Sequence, residues 1–562
     1  MKKHIVLFCL SALLSLFAFG CGSDSEDSES DSLTGVSISG SEKARIGKSA
    51  TLTATPKKTG SPEITYSWSL SSDSQASLSA TTGESVELSV KDSATEGDSV
   101  TVTVTATWGT VSVTGEKTVT FSTTPTLSLT DTPVGYATEG DPSWNTDKSK
   151  IVTVTNAKDL KSYASAGGYV IYVDGMIDMT TDNGSASMLP TSASDDNANL
   201  GNFIANHYGN WSGTKYTSWS AWRTAYAAAN SSTSDWDSSS SKNADSMDGY
   251  EYQLYNDYKN QIMIKPASNT TIIGKTSESG IKGGSFYIEG SSSTEKKNIQ
   301  IRNLIIRDAF DPFPHHETSS SGSSDGWNAQ YDGITLKGTN VSNIWIDHCT
   351  FEDTISVGWN GFATVAVSDG EETGNHKNMW QTYDGMLDIA GTVENVTISY
   401  CKFVNHDKVM LLGNDSSDSG TKTITVHHCY FKDSVQRLPM VRYANVHLYN
   451  NYYTFSKSEG YTSTSTVNVR DSAKVNSEYN YFDFTGDLKY SYSDGGNSTG
   501  SLYYANDYGV ASSNISLSSM GSKASTSTKV FDIPYTYTPD AASDVPSIVE
   551  ENAGAGVCNV VQ

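Results

Sequence analysis

Short segments in which apolar and polar residues alternate recur between residues 298 and 482. One copy reads Asn343-Ile-Trp-Ile-Asp-His-Cys-Thr-Phe351, and a later copy reads Asn395-Val-Thr-Ile-Ser-Tyr-Cys-Lys-Phe403. Alternation with a period of two is typical of a β-strand with one buried face, and it disfavours a helix. Each copy therefore predicts a short strand.

The copies recur at irregular intervals. Their seventh positions are separated by steps of 45, 52, 28, 22 and 29 residues and are occupied by Leu304, Cys349, Cys401, Cys429, Asn451 and Asn480. A shortest step near 22 with longer insertions is the pattern of a solenoid that carries side loops. A single strand of this kind cannot bury its apolar face, whereas stacked copies bury a continuous core. We predict an all-β fold with a right-handed parallel β-helix as the main domain.

The N-terminal part of the chain has a different pattern. The segment Val100-Thr-Val-Thr-Val-Thr-Ala-Thr-Trp108 alternates strictly, and similar short segments lie between turn residues over 34–123. Regular short strands over about 90 residues predict a small Ig-like β-sandwich with Trp68 in its core, acting as a spacer. Residues 124–148 are rich in Thr, Pro and Asp and predict a linker. The β-helix domain then occupies 149–562, with a polar insertion at 182–247.

The first residues predict export. Lys2 and Lys3 precede an apolar run over 5–19, which is too short to span a membrane and indicates a signal peptide over 1–20. A small residue before Cys21 resembles a bacterial lipoprotein processing site, which implies a lipid on Cys21. The acidic, serine-rich stretch 21–33 then predicts a solvated tether. We expect a lipoprotein of the outer membrane, displayed on its surface.

Charge and cysteine content narrow the class of protein. The 562 residues carry 38 Lys and Arg against 63 Asp and Glu, a net charge of −25, which argues against a nucleic-acid partner. The six cysteines include no C-x-x-C motif. Cys349, Cys401 and Cys429 fall in one column, where buried free thiols are favoured and a disulfide is left open. We expect a monomer.

Candidate chemistry gathers on neighbouring copies. Asp332 lies 17 residues before Cys349 and Asp384 lies 17 before Cys401, so the repeat places one carboxylate above the other. Asp388 follows, provided that the chain bends at Gly385. Stacked carboxylates repel one another unless a cation joins them, and Ca²⁺ prefers six to eight oxygen ligands.

Basic residues follow on later copies. Lys408, Arg437 and Arg442 lie downstream of the acidic positions. A cation with lysine and arginine beside it suits an acidic polymer as the ligand.

Seven motifs in this order resemble the polysaccharide lyase family 1 pectate lyases over residues 150–540. The motifs are Asn269-Thr-Thr-Ile-Ile-Gly274, Tyr331-Asp-Gly-Ile334, Trp345-Ile-Asp-His-Cys349, Asp384-Gly-Met-Leu-Asp388, His406-Asp-Lys408, Arg437-Leu-Pro-Met-Val-Arg442 and Val446-His-Leu-Tyr-Asn-Asn451. The resemblance implies a parallel β-helix that cleaves polygalacturonate by β-elimination with Ca²⁺.

The resemblance also implies residue roles. It assigns Asp332, Asp384 and Asp388 as calcium ligands and Arg437 as the Brønsted base. Lys408 and Arg442 would hold substrate carboxylates, and Lys408 is the next candidate for the base. An arginine base is unusual because the guanidinium normally stays protonated.

Alternatives remain at this point. A pectin lyase would act on methylated substrate without calcium, but it would lack the acidic cluster. A hydrolase needs two carboxylates set for acid and base work on water, and the Gly-His-Gly and Arg-Ile-Lys signatures of polygalacturonases are absent. A non-catalytic surface glycan-binding protein could keep the fold, although Arg437 and Lys408 are both present.

Overall fold

The computed structural model describes residues 31–40, 43–181, 186–191, 196–229, 242–318, 324–355, 362–364, 379–456, 466–486, 488, 490–495, 499–510 and 517–561. The chain forms two compact units, Met1–Phe121 and Ser122–Gln562. The predicted signal peptide and the lipidation site at Cys21 lie outside the described residues, so both stay predictions. Among the described residues, no helix combines the length and the apolar character needed to cross a membrane.

The first unit consists of two four-stranded antiparallel sheets. Its strands are β1 (Ser32–Ser39), β2 (Lys43–Arg45), β3 (Ser49–Thr59), β4 (Thr65–Leu70), β5 (Ala76–Leu78), β6 (Ser85–Val90), β7 (Ser99–Trp108) and β8 (Val111–Ser122). The sheet orders are β1-β3-β6-β5 and β2-β8-β7-β4, and the Ig-like assignment stays a prediction. Trp68 is buried between the sheets, and its indole N–H donates to the carbonyl of Gly83 at 2.8 Å.

The second unit is a solenoid of three parallel ladders, each described here by its strands. The first ladder contains β13 (Met263–Ile264), β16 (Ser285–Gly290), β21 (Ile334–Asp347), β25 (Leu387–Ser399), β27 (Leu411–Leu412), β30 (Met440–Val441), β33 (Val467–Val469), β36 (Tyr492–Ser493) and β39 (Leu517–Ser518).

The second ladder shares the long strands β21 and β25. Its other members are β10 (Ile151–Val154), β11 (Val170–Val173), β14 (Thr270–Gly274), β17 (Lys296–Arg302), β28 (Lys422–His427), β31 (Ala444–Tyr449), β34 (Lys474–Glu478), β37 (Ser501–Ala505) and β40 (Ala524–Ser525).

The third ladder is a separate nine-stranded sheet. Its strands are β12 (Met176–Asp178), β15 (Gly280–Lys282), β18 (Ile305–Arg307), β22 (Thr350–Glu352), β26 (Lys402–Val404), β29 (Tyr430–Lys432), β32 (Tyr452–Thr454), β35 (Tyr481–Asp483) and β38 (Tyr508–Val510). The prediction of a parallel β-helix is confirmed.

A single left-handed residue turns the chain from the second ladder into the third. Six successive coils have φ between 48° and 56° at this corner, at Asn303, His348, Tyr400, His428, Asn450 and Tyr479. Asparagine and histidine are enriched in this conformation. Each sequence repeat is therefore the end of one strand, a corner and the start of the next strand, rather than one strand.

Side chains after the corner form columns inside the solenoid. All six residues of the predicted column, from Leu304 to Asn480, are fully buried, and its three cysteines are free thiols. Two positions further on, aromatic rings stack with centroids 4.7–5.0 Å apart, in the order Phe351, Phe403, Phe431, Tyr453 and Phe482. This spacing equals the distance between neighbouring strands, so in-register pairing of the coils aligns the core.

Helices and a small sheet lie outside the ladders. The helices of the described residues are α1 (Ala157–Ala166), α2 (Ala198–Asn206), α3 (Trp219–Ala229), α4 (Met247–Ile262) and α5 (Val545–Asn552). Short 3-10 turns occur at Tyr136–Thr138, Lys148–Lys150, Gly521–Lys523 and Ala542–Asp544. The small sheet contains β19 (His315–Thr318), β20 (Ser324–Asn328), β23 (Phe362–Thr364) and β24 (Met379–Gln381).

The insertion predicted at 182–247 contributes α2, α3 and the first residue of α4. Trp219 and Trp222 on α3 are fully buried against Phe310 and Phe313. These tryptophans fasten the insertion to the solenoid instead of facing a ligand.

The prediction of a linker at 124–148 is wrong, because this segment packs on the solenoid. Strand β9 (Thr126–Ser128) pairs in parallel with β41 (Asn559–Val561) near the end of the chain. The buried guanidinium of Arg302 donates to the carbonyl of Ser128 and to Asp131, both at 2.9 Å. Composition alone could not reveal these partners, which are far away in sequence.

The C-terminal segment also packs across the second ladder. The Tyr535 hydroxyl lies 2.6 Å from Thr425 Oγ1 and 2.7 Å from His447 Nδ1. Asp540 contacts His428 Nε2 at 2.9 Å and donates its backbone N–H to Asn450 at 2.9 Å. The segment therefore satisfies polar groups that the outward face of three coils would otherwise leave buried and unpaired.

Replacing Tyr535 with phenylalanine tests this contact. The substitution leaves Thr425 and His447 without the shared hydroxyl, so we expect the free energy of unfolding of the β-helix unit to fall by about 1–3 kcal/mol. Chemical denaturation followed by circular dichroism measures the loss. Tyr508→Phe is the matched control, because Tyr508 is 48% exposed. Equal unfolding midpoints for the two variants would contradict the assigned role.

Candidate active site

The predicted carboxylates lie where the chain enters β21 and β25. The repeat predicts an offset of 52 residues between these coils, and the pairing shows that offset from Val341 onward. Over Ile334–Gly338 the offset is 53, because the register shifts between Gly338 and Val341. Asp332 is therefore opposite Gly385 rather than Asp384, which corrects the stacking inferred from the sequence and places Asp332 between the other two carboxylates.

Gly385 lets the three carboxylates approach one another. Its N–H donates to Asp332 Oδ1 at 3.0 Å. A β-carbon at this position would lie 2.4 Å from Asp388 Oδ1 and 2.8 Å from Asp332 Oδ1. The glycine is needed here because the space for a side chain is taken by the carboxylates, and not because of a left-handed φ.

Further donors hold the carboxylates in place. The Thr335 hydroxyl donates to Asp332 Oδ2 at 2.7 Å, and the Leu411 N–H donates to Asp388 Oδ1 at 2.9 Å. Thr335 and Asp388 are directly opposite in the ladder. The acidic positions are thus fixed by neighbouring coils.

Lys408 is a basic residue in direct contact with one of the carboxylates. Its ammonium group donates to Asp384 Oδ1 at 2.6 Å, to Gln381 Oε1 at 3.0 Å and to Asn328 Oδ1 at 3.1 Å. The side chain is 8% exposed. Lys408 is the nearest counter-ion of Asp384.

Arg437 is brought to the same place by the following coil. It has a left-handed backbone with φ of 61°, and its carbonyl accepts from Met410 N–H at 2.9 Å. Within the described part of the chain its Nε has no hydrogen-bond partner. Arg437 lines a cavity of about 420 Å³ together with Asp384, Asp388 and Lys408.

Arg442 is one of the predicted residues that the structure keeps apart from this cavity. Its Nε donates to Asp471 at 3.1 Å, and its Nη1 donates to the carbonyls of Gly413 and Asn414. Asn414 lines the cavity, so Arg442 lies directly behind its rim.

Mutual repulsion marks the carboxylates as a cation site. Burial raises the pKa of Asp332 well above its usual range, and the charges of Asp388 and Asp384 raise it further. Burial and Asp384 also raise the pKa of Asp388 to about 7, although Arg437 opposes the shift. The protein's own basic groups therefore compensate the negative charge of these three carboxylates only in part.

The donor set fits a hard cation. Carboxylate oxygens are the ligands that Ca²⁺ prefers. Among the described residues, no group of three or more His, Cys, Asp and Glu side chains converges closely enough to hold a metal by itself. Asp332, Asp384 and Asp388 would supply part of a coordination sphere, which leaves positions for substrate oxygens or water.

His406 anchors the backbone of Asp384. Its Nε2 lies 2.6 Å from the Asp384 carbonyl oxygen, and its Nδ1 lies 2.5 Å from Asp353 Oδ2. The carbonyl is an acceptor, so Nε2 carries the hydrogen of that bond, while Nδ1 and Asp353 share the other hydrogen bond; burial raises the pKa of Asp353. Burial alone would lower the pKa of His406, but Asp353 and the hydrogen bonds raise it above its usual value.

Several residues of the site were not predicted from the sequence. Gln381, Asn328 and Gln436 are uncharged and belong to no repeated column, although all three line the cavity. His406 was noted in a motif without a role. Asp347 and His348 of the same motif set contact each other at 2.9 Å on the second ladder, and Asp347 also pairs with Arg302.

Comparisons with known proteins agree with this geometry. A family model described as pectate lyase matches residues 186–558. A pectate lyase of Bacillus subtilis strain 168 is 32% identical over 311 residues, covering 54% of this chain and 67% of the relative. Pectate lyase E of Dickeya chrysanthemi is 35% identical over 239 residues, covering 42% and 56%.

A solved structure shares the fold. It belongs to a pectate lyase described for its substrate specificity and anti β-elimination mechanism, and it covers 75% of this chain and 97% of its own length. The sequences are 25% identical and the TM-score is 0.58.

Removing the His406 anchor tests the metal-site geometry. We expect the double variant His406→Ala/Asp353→Asn, which leaves no buried carboxylate unpaired, to lower calcium affinity by about 10–100-fold. Calorimetric titration of the folded protein with Ca²⁺ measures this without turnover.

Tyr383→Phe serves as the control for the His406 variant. It removes the hydroxyl that donates to Asp308 at 2.8 Å in the same pocket, but it leaves the Asp384 carbonyl contact in place. Unchanged affinity in the double variant would contradict an anchoring role for His406.

Proposed function

The chain belongs to the pectate lyase family, and we propose that it is a calcium-dependent pectate lyase that cleaves α-1,4-polygalacturonate by β-elimination. One observation carries the proposal: Asp384 and Asp388 share a cavity with Lys408 and the unpartnered Nε of Arg437. Carboxylates suit a cation, while lysine and arginine suit the acidic groups of the polymer.

Calcium would be held by Asp332, Asp384 and Asp388. When bound there, it would neutralise a substrate carboxylate and so acidify the adjacent C5 proton. Lys408 would be released from Asp384 and would then pair with a substrate carboxylate.

Arg437 is the proposed base. It removes the proton from C5, the electron pair forms the C4–C5 double bond, and the C4–O bond breaks to give an unsaturated uronide. The departing oxygen takes its proton from water. Arg437 attracts Asp388 and opposes the rise in the pKa of that carboxyl. A cation held by Asp388 would replace this attraction and leave the guanidinium available to the C5 proton.

Arg442 is the proposed second contact to substrate carboxylates. Its Nε and Nη1 are engaged by Asp471 and two carbonyls, whereas Nη2 has no hydrogen-bond partner among the described residues. This nitrogen can bind a carboxylate at the rim while the other two fix the guanidinium plane.

Two other functions fit the fold less well. A pectin lyase acting on methylated substrate without calcium would not need the cluster of Asp332, Asp384 and Asp388. A non-catalytic surface glycan-binding protein would not need Arg437 in one cavity with Asp384 and Asp388. We further propose a monomeric outer-membrane lipoprotein, carried across the inner membrane by residues 1–20 and anchored through Cys21.

Chelation tests the calcium requirement. We expect ultraviolet absorbance from unsaturated product on polygalacturonate, its loss after exhaustive chelation and its return on adding Ca²⁺. Highly methylated pectin should react more slowly, because methyl esters cannot pair with Lys408. Full activity in chelator on methylated pectin would favour the pectin lyase, and binding without product would favour the non-catalytic function.

Arg437→Lys tests the base. Lysine keeps the charge but not the guanidinium geometry, so kcat should fall by at least 100-fold, in the range attributed to acid–base catalysis. Calcium affinity and polymer binding, measured by calorimetry, should change little. Turnover near that of the wild-type protein would transfer the role to another group, with Lys408 next.

A further inference from the structure

The carboxylates also border a second cavity, on the side of the earlier coils. Its volume is about 340 Å³. Its lining includes Asp332, Asp384 and Asp388 together with Lys259 and Lys337. This cavity therefore places two cations other than Lys408 and Arg437 beside the carboxylates.

Lys259 projects from helix α4, and the charges of Glu289 and Asp311 act on it from a distance. Its ammonium group lies 3.1 Å from the Tyr255 hydroxyl and 5.2 Å from the ring centre of Tyr287. Within the described residues no carboxylate lies at ion-pair distance from it. Burial and the neighbouring charge of Lys337 lower the pKa of Lys259. A bound anion would compensate this half-buried charge.

Lys337 approaches the same tyrosine from strand β21. Its ammonium group is 5.4 Å from the Tyr287 ring centre and 3.8 Å from Glu289. The Glu289 contact is long and both side chains are at least 40% exposed, so it holds Lys337 only weakly. Lys337 also makes a hydrogen bond with the Tyr287 side chain. Each ammonium group has three N–H donors, so both lysines can still bind an anion near the Tyr287 ring.

The ladder shows how these lysines relate to the other cations. Lys337 pairs with Ala390. On the next two coils, the residues in line with Ala390 are Gly413 and then Arg442, each one residue beyond the last paired position of its strand. Three strand spacings separate Lys337 from Arg442, about 14 Å along the solenoid. Asp332 lies on the same coil as Lys337, and Asp384 and Asp388 lie on the next coil toward Arg442, so a polyanion lying along the ladder passes the carboxylates with a cation at each end.

We propose that Lys259 and Lys337, beside the Tyr287 ring, form an additional subsite for a uronate of the polymer. This inference rests on the proposed function and extends its substrate groove toward the N-terminal coils. Helix α4, which follows directly from the insertion, supplies Lys259, so the subsite combines a residue outside the ladders with one on strand β21. The ammonium groups bind the sugar carboxylate, and the tyrosine ring provides an apolar surface for the sugar.

The test compares oligogalacturonates of increasing length in the double variant Lys259→Gln/Lys337→Gln. We expect KM for polygalacturonate to rise roughly ten-fold, equivalent to about 1.4 kcal/mol, with a much smaller change in kcat. The increase should grow with oligomer length, because short oligomers need not reach the subsite. The single variant Lys259→Arg should keep most of the affinity, since arginine keeps the positive charge.

Lys474→Gln is the matched control, because it removes the same charge from an exposed position at the start of β34, outside both cavities. The single variant Lys337→Gln, at a 40% exposed side chain, tests the subsite if the double variant does not fold. Calorimetric binding of polygalacturonate in the Arg437→Lys background gives an affinity without turnover.

The outcomes separate the two proposals. Equal KM and equal affinity in the Lys259/Lys337 variants, with an active wild-type protein, would overturn the subsite and leave the proposed function standing. Failure of the wild-type protein to form unsaturated product with calcium would overturn the proposed function itself. Weaker polymer binding in the lysine variants alone would support the subsite.

Discussion

In-register pairing between successive coils is the constraint on which the rest of this structure depends. Parallel strands hold equivalent residues at one strand spacing, so the choice of one side chain limits those directly above and below it. In the interior this gives a stack of five aromatic rings at 4.7–5.0 Å and a fully buried column that ends in hydrogen-bonded asparagines. On the outer face of the solenoid, the same pairing brings charged side chains close together, including side chains of like charge.

The candidate active site depends on these short distances between side chains of neighbouring coils. Asp332, Asp384 and Asp388 repel one another, and Asp332 is buried while the other two are partly buried. This arrangement is unfavourable for an isolated solenoid. Their charge is balanced by groups on neighbouring coils: Lys408 contacts Asp384, and Arg437 attracts Asp388. A chain with a net charge of −25 has little long-range attraction for an acidic polymer. Local cations close to a metal site are therefore needed to hold such a substrate.

Much of the fold could be predicted because the repeat can be recognised in short segments of the sequence. The short strands and the buried Leu/Cys/Asn column follow directly from the aligned copies, whereas the left-handed corner inside each copy was not predicted. The one-residue difference in offset near Asp332 could not be predicted, because it depends on a register shift between Gly338 and Val341 that leaves no sequence signal.

Long-range contacts explain the remaining differences. The Arg302 contacts to residues 128 and 131 turn an apparent linker into part of the solenoid. The engagement of Arg442 by Asp471 also crosses coils, as does the approach of Lys259 from α4. Residue type and spacing indicated the chemistry of the acidic and basic positions, whereas their partners required the folded chain.

The pairing of β9 with β41 has a consequence for the topology of the β-helix unit. Thr126 is directly opposite Asn559, so the beginning and the end of this unit are neighbours in one two-stranded sheet. Nearby termini are the usual condition for circular permutation. A short connection from the end of β41 back to the start of β9 would close the chain, and new ends could be opened in an exposed loop between coils. The order of the coils, and with it the alignment of carboxylates and cations, would survive such a rearrangement, because it depends on pairing between neighbours rather than on where the polypeptide begins.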